Sequence, residues 1–222
     1  VSIRGRVCAD AIKMAGADRV IIMDLHAPQV QGFFTGPVDH LYARPLLCEY
    51  VKKLGLVENL VVVSPDAGFA KNAREYADYL GTSVAIGDKT RVAHDEKAQV
   101  LEVIGNVEGK DCLIVDDFTI SGGTIVEIAK AIKAKGAQHI YACLSHILSR
   151  EKGVQALMDS PIELLISTDS VDNPYVMNCE KVRIVSVAPL FAETVRRINI
   201  RQSVSPLFTK MPIQVLNQMH TT

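Results

Sequence analysis

The 222 residues are enough to bury a sizeable core in one or two domains, and 48% hydrophobic with 22% charged residues excludes a disordered chain. A formal net charge of −1 gives no general attraction to nucleic acid or to an anionic membrane, and no apolar run approaches the roughly 18 residues of a spanning helix. Five scattered cysteines with no C-x-x-C pair argue against structural zinc and against a redox pair, and they fit a reducing, cytoplasmic setting.

The chain starts on Val1 and reads at once as helix, so a piece of a longer protein is expected. Arg19 to Asp24 reads as a buried strand and Pro45 to Leu54 as a helix. Asn59 to Ser64 is the next strand, followed by helix from about Ala67 to Leu80. Ser83 to Ile86 is a short strand, and Gln99 to Ile104 is a candidate for another. Asp111 to Asp116 is a strand, and the helix from Gly123 to about Lys135 stops at Gly136. His139 to Ser145, Leu164 to Thr168 and Val182 to Val187 complete the strands, and Leu190 to Asn199 is the last helix. Thr209 to Thr222 shows no apolar period and is expected to be partly disordered. Continuous apolar strands alternating with helices predict an α/β fold whose parallel sheet is covered on both faces.

Three strands end on acid: Asp24-Leu25-His26, Pro65-Asp66 and Asp116-Asp117. Open α/β sheets bind ligands beyond the carboxyl ends of their strands. One Asp in such a place commonly just caps a helix or makes a turn. Three, two of them beside a His or a second Asp, point to one shared site. Asp24 is expected to orient His26 or to fix the turn. After Asp117 come Thr119, Ile120, Ser121, Gly122, Gly123 and Thr124, then an apolar helix. A phosphate needs several donors at close range, and a helix N-terminus adds its dipole. The glycines let the backbone approach, and the hydroxyls of Ser121, Thr124 and Thr119 add donors. Asp116 and Asp117 would repel a bare phosphate, so their expected work is to hold sugar hydroxyls, directly or through Mg²⁺. The segment is neither a Walker A loop nor a G-x-G-x-x-G turn.

VDDFTISGGT resembles the loop for 5-phosphoribosyl diphosphate (PRPP) shared by phosphoribosyltransferases and PRPP synthases. MDLHAPQVQGFF (Met23 to Phe34) resembles the DLHA-x-x-x-QGFF segment of the synthases, the ribose-phosphate diphosphokinases, which the transferases lack. VVVSPDAG (Val61 to Gly68), GDKTR (Gly87 to Arg91) and Gln202 to Phe208 are similar to further synthase segments, so the resemblance runs from Val1 to Phe208. It implies a parallel-sheet, type I phosphoribosyltransferase-like fold. It also implies transfer of the diphosphoryl group of ATP to the 1-hydroxyl of ribose 5-phosphate, with Mg²⁺, giving PRPP and AMP. Asp116 and Asp117 would then hold ribose hydroxyls and Mg²⁺, and Ser121, Gly122, Gly123 and Thr124 the 5-phosphate. His26 and Asp66 would meet Mg²⁺ and the ATP phosphates, and Lys89 and Arg91 would be catalytic cations on a mobile loop that also carries His94. Dimers building larger rings are the implied assembly.

Two positions depart from the family pattern. Ile120 stands where an acidic residue is common, and Phe69 where a second glycine is usual after the S-P-D turn. The family's FSDGE-like and Arg-Gln-Asp-Arg segments, which surround the adenine, do not occur in these 222 residues. Residues 1–43 are therefore expected to be the remnant of an N-terminal domain and 44–187 a complete domain with the sugar-phosphate loop. Residues 188–208 would be a helix returning to the first domain, and 209–222 a tail. An incomplete first domain would expose apolar surface and impair activity in this piece. The competing functions are a phosphoribosyltransferase that consumes PRPP and a non-catalytic, synthase-associated subunit; DLHA with Lys89-x-Arg91 speaks against both.

Overall fold

The computed structural model describes residues 3–91 and 99–218, with side chains at 3–88 and 102–218. Its main body is a sheet in the order β5-β4-β3-β6-β7-β8-β9, formed by β3 (Leu60–Ser64), β4 (Ser83–Arg91), β5 (Gln99–Ile104), β6 (Asp111–Thr119), β7 (Ile140–Ile147), β8 (Leu164–Thr168) and β9 (Val182–Val185). Every pairing is parallel except the β4–β5 hairpin. All five residues of β3 are buried, as its unbroken apolar run requires of a strand covered on both sides.

Alternation along the central strands divides the core in two. Val62, Leu113, Val115 and Cys143 pack with α2 (Arg44–Lys53) and α3 (Ala70–Leu80). Val61, Val63, Ile114, Ala142 and Leu144 pack with Ile125, Ile128 and Ile132 of α4 (Gly123–Ala134) on the other face. The helix α5 (Glu151–Met158) adds Val154 and Leu157 to that second layer. The helix α6 (Ala188–Asn199) puts Leu190 into the first.

A separate, two-stranded parallel sheet pairs β1 (Val20–Met23) with β2 (Val38–Leu41), Val20 opposite Val38 and Met23 opposite Leu41. Two strands are marginal alone. Here Met23, Leu41 and Ala43 are buried in the same cluster as α2, Leu190 and Leu207. The front helix α1 (Ile3–Met14) buries only Ala9 and leaves Ile3, Val7 and Met14 exposed beside an apolar groove that includes Val20, Val30 and Val38. Among the described residues, no helix is long and apolar enough to cross a membrane.

Several expectations change. β6 runs on to Thr119, pairing Phe118 with His146 and Thr119 with Ile147, so the sugar-phosphate loop shrinks to three residues between strand and helix. Two consecutive aspartates are poor strand formers, which hid the extension. β2 went unseen because two of its four residues, Asp39 and His40, are polar although buried. Arg19 pairs with Asp39 at 2.5 Å, and His40 accepts from the Leu25 N–H at 2.9 Å. The tail expected to be disordered is packed over 209–218: Met211 and Val215 are buried, and Ile213–Leu216 form α7. Two buried residues four apart are too few to show a period. Residues 219–222 lie outside the described residues.

β4 passes very close to the end of β3. A Cβ on Gly87 would stand 2.7 Å from the Pro65 carbonyl oxygen and 2.8 Å from Ile128 Cδ1. The first obstacle is backbone and cannot rotate away. Gly87→Ala is therefore expected to destabilise the chain by about 2 kcal/mol, read as a lowered urea midpoint with an unchanged m-value. An unchanged midpoint would show that the strands separate freely here.

Candidate functional site

The carboxyl ends of β1, β3, β6 and β7 meet on one side of the molecule, and the acidic residues singled out by the sequence lie there. Asp24 follows β1 with φ 42°, a left-handed conformation that Asp tolerates better than most residues. Its Oδ2 accepts the Ala43 N–H at 2.8 Å and the Ser145 hydroxyl at 2.6 Å. One buried carboxylate thereby ties the small sheet to β7 of the large one. Burial raises its pKa, against the lowering effect of the Ser145 and Ala43 hydrogen bonds. These bonds make Asp24 the holder of the turn; its carboxylate bonds are to Ala43 and Ser145, not to His26.

Two residues on, the exposed His26 places Nδ1 2.7 Å from Asp117 Oδ2 and its ring edge-on to Phe118, centroids 5.2 Å apart. Asp117 is nearly buried, and its Oδ1 accepts the Phe118 N–H at 2.8 Å. Asp116 Oδ1 accepts the Asp117 N–H at 2.9 Å. Burial, with the neighbouring Asp117 charge and the Asp66 charge beyond it, pushes Asp116 up to about 8.

Asp66 turns the chain after β3. Its Oδ1 accepts the Phe69 N–H at 3.0 Å, and its carbonyl accepts the Ser64 hydroxyl at 2.6 Å. Phe69 sits at φ −92°, ψ −1°, where no glycine is needed, and its ring packs against the core. The family's usual glycine is replaced there without backbone strain.

The loop from β6 to α4 is folded by its own side chains. Thr119 Oγ1 accepts the Gly122 N–H at 3.0 Å, and Ser121 Oγ accepts the Gly123 N–H at 3.3 Å. Thr119 thus folds the loop. Gly122 has φ 77°, so its glycine is a backbone requirement. Gly123 and Thr124 open α4, whose N-terminus faces the same side as the two aspartates. Ile120 projects into solvent, 63% exposed, and takes no part in the core.

Lys89 and Arg91, expected on a loop, lie by their backbones in β4, opposite Leu101 and Gln99. Their side chains lie outside the described ones, and His94 lies outside the described residues. Beside Asp117 opens a cavity of about 310 Å³ lined in part by Asp24, Tyr42, Arg44, Lys71 and Glu75, with Arg44 and Glu75 ion-paired. The sequence reading passed over Ser145, Tyr42 and Arg44. Ser145 was within reach of the strand-end rule, since its strand was expected to stop there. Tyr42 and Arg44 follow β2, the strand that was not foreseen. Among the described residues, no three His, Cys, Asp or Glu side chains converge as a ready-made metal site.

Residues 89–209 match the family model described as phosphoribosyl synthetase-associated domain. The ribose-phosphate pyrophosphokinase of Aquifex aeolicus is 44% identical over 207 residues, 93% of this chain and 66% of that protein. That of Caldanaerobacter subterraneus is also 44% identical, with 93% of this chain and 65% of the relative covered. The crystal structure of phosphoribosylpyrophosphate synthetase from Mycobacterium smegmatis superposes with a TM-score of 0.82 at 35% identity, covering 90% of this chain and 65% of that one. The chain therefore spans 65–66% of the length of these proteins. The expected α/β fold, a mainly parallel sheet of the phosphoribosyltransferase-like kind, is the one it shares with that synthetase. With the DLHA turn, the paired aspartates and the Ser-Gly-Gly-Thr loop gathered on one side of that sheet, the chain belongs to the phosphoribosyl synthetase family, whose curated members are named ribose-phosphate pyrophosphokinases.

Proposed function

We propose that the protein to which this chain belongs makes PRPP from ATP and ribose 5-phosphate. The carrying observation is the Asp116–Asp117 pair, with His26 on Asp117 at 2.7 Å on one side and the Ser121–Thr124 turn at the start of α4 on the other. That arrangement has an acidic end for a diol and a donor-rich helix N-terminus for a phosphate. Ribose O1 would form a bond to the β-phosphorus of ATP as that phosphorus leaves its bridging oxygen on AMP, and the hydroxyl proton would pass to solvent.

The donor set fits Mg²⁺. That ion is commonly held by one or two carboxylates plus substrate phosphates and water, without a full protein cage. Asp116 and Asp117, with His26 and Asp66 on the nucleotide side, are the residues that would hold it, and the neighbouring charges of Asp117 and Asp66 would favour a cation beside Asp116. When bound, it would neutralise phosphate charge. Asp117 keeps the His26 ring in place, and Gly122 lets the loop approach the 5-phosphate. Lys89 and Arg91 would balance the negative charge that spreads over the transferred group.

Residues 1–43 would belong to a second phosphoribosyltransferase-like domain, in keeping with their separate two-stranded sheet and the open apolar side of α1. Homo-oligomers are the proposed assembly, and five free thiols suit a cytoplasmic setting. AMP and PRPP formed from ribose 5-phosphate, ATP and Mg²⁺ by the native protein would support the reading; no product would refute it. The 222-residue polypeptide alone is expected to bind ribose 5-phosphate in calorimetry yet turn ATP over weakly, because it contains no FSDGE-like or Arg-Gln-Asp-Arg segment for the adenine. Robust turnover by that polypeptide would overturn this expectation.

A further inference from the structure

Gly153 lies in the first turns of α5, where alanine would form helix more readily. No positive φ calls for a glycine there. The reason is a close contact. A Cβ on Gly153 would stand 3.0 Å from the Ser121 carbonyl oxygen, 3.2 Å from the Ser121 carbonyl carbon and 3.1 Å from Ser149 Cβ. The contact is reciprocal, since a Cβ on Gly122 would stand 3.0 Å from the Gly153 carbonyl oxygen and 3.0 Å from Leu157 Cγ. The loop after β6 thus rests on α5, backbone against backbone.

The seat itself is fixed from behind. Asn173 Nδ2 donates to the carbonyls of Ile147 and Ser149 at 3.0 Å each, and the Leu148 N–H donates to the Thr119 carbonyl at 2.9 Å. Ser149 is buried, and its Oγ has no hydrogen-bond partner among the described residues. Buried hydroxyls are nearly always satisfied, so an orphan beside a ligand loop asks for a reason. Ser149 Cβ and the Ser121 carbonyl oxygen both border the place of the missing Gly153 Cβ, at 3.1 and 3.0 Å from it, so the carbonyl of the loop is the acceptor on that side of the unpartnered hydroxyl.

Resting on the sugar-phosphate reading of this loop, we infer that the start of α5 is the seat that positions Ser121 and Gly122 for the 5-phosphate. Gly153 is its steric determinant, and Ser149 is the donor that engages when the loop tightens on the ligand. Both are positioning residues, outside the motif that carries the loop. The loop, exposed at Ser121, can yield where α5, anchored in the core by Val154 and Leu157, cannot. A methyl at 153 would therefore displace the loop by a few tenths of an ångström without unfolding the protein.

The test uses the native protein. Gly153→Ala should raise KM for ribose 5-phosphate about tenfold, with kcat and KM for ATP near wild type and the melting temperature unchanged or higher. Ser149→Ala should raise the melting temperature of the ligand-free protein, because an unsatisfied hydroxyl is removed, while weakening ribose 5-phosphate binding several-fold. A serine that merely fills space would not move the two readouts in opposite directions. Lys152→Ala, an exposed neighbour on the same helix, should change neither. If Gly153→Ala fails to fold, Ser149→Ala decides alone. Wild-type affinity for ribose 5-phosphate in the variants would overturn the seat while leaving the proposed function intact. Wild-type protein that does not bind ribose 5-phosphate would overturn both.

Discussion

Asp116→Asn is expected to stabilise the chain in the absence of ligand and divalent cation, and to weaken ribose 5-phosphate binding strongly. Burial, the adjacent Asp117 and the nearby Asp66 hold the Asp116 pKa up at about 8. The sign follows from linkage. A carboxyl whose pKa is higher folded than unfolded gives its full stability below about pH 4, and that stability drains away as pH rises toward 8. Asparagine keeps the acceptor for the Asp117 N–H at 2.9 Å and has no charge to desolvate. The gain over wild type should be near zero at pH 4 and reach roughly 2–4 kcal/mol by pH 8. Thermal melts in chelator across that range would show it, and a gain that is flat with pH would refute the argument. Binding moves the other way, because the neutral amide neither attracts Mg²⁺ nor accepts a sugar hydroxyl as strongly as a carboxylate does. A loss of about a hundredfold or more in affinity is expected. Opposite changes in stability and binding are the expected mark of a group held ready for a ligand.

Lys89→Ala is expected to leave ribose 5-phosphate affinity within about twofold and to lower kcat by about a hundredfold or more in the native protein, the effect of removing one charge-stabilising donor. Its backbone is in β4, opposite Leu101, in the antiparallel hairpin and separated by β3 from β6, whose loop is the proposed sugar-phosphate site. The two variants should therefore separate: Asp116→Asn loses the sugar phosphate, Lys89→Ala loses the transfer. Lys89→Arg, which keeps the charge but changes its reach, should recover part of the rate. A Lys89→Ala protein with wild-type kcat would remove Lys89 from the reaction, and a large fall in sugar-phosphate affinity would assign it to binding.

Much of the layout was legible in order along the chain. Leu60–Val63 and Leu164–Ile166 are unbroken apolar runs, as strands buried on both faces require. Asp24, Asp66 and Asp116-Asp117 could be assigned to one site because strand ends in a parallel sheet lie on one side. Gly122 could be read as part of a phosphate loop because glycine is chemically conspicuous there. The short pieces were lost. β2 hides Asp39 and His40 behind pairings with Arg19 and the Leu25 N–H, and α5 is eight residues long. Neither carries enough period to stand out from its surroundings.

By itself, then, the sequence determined the strand-helix alternation, the family and the chemical character of the loop, because these depend on residue type and local spacing. Only the tertiary structure decided that Asp24 bonds to Ala43 and Ser145 and holds the turn, that His26 rests on Asp117, and that Gly153 lies under Ser121. Each joins residues from 19 to 121 positions apart. Contacts of that kind are set by how the layers pack, and no local pattern of side chains records them.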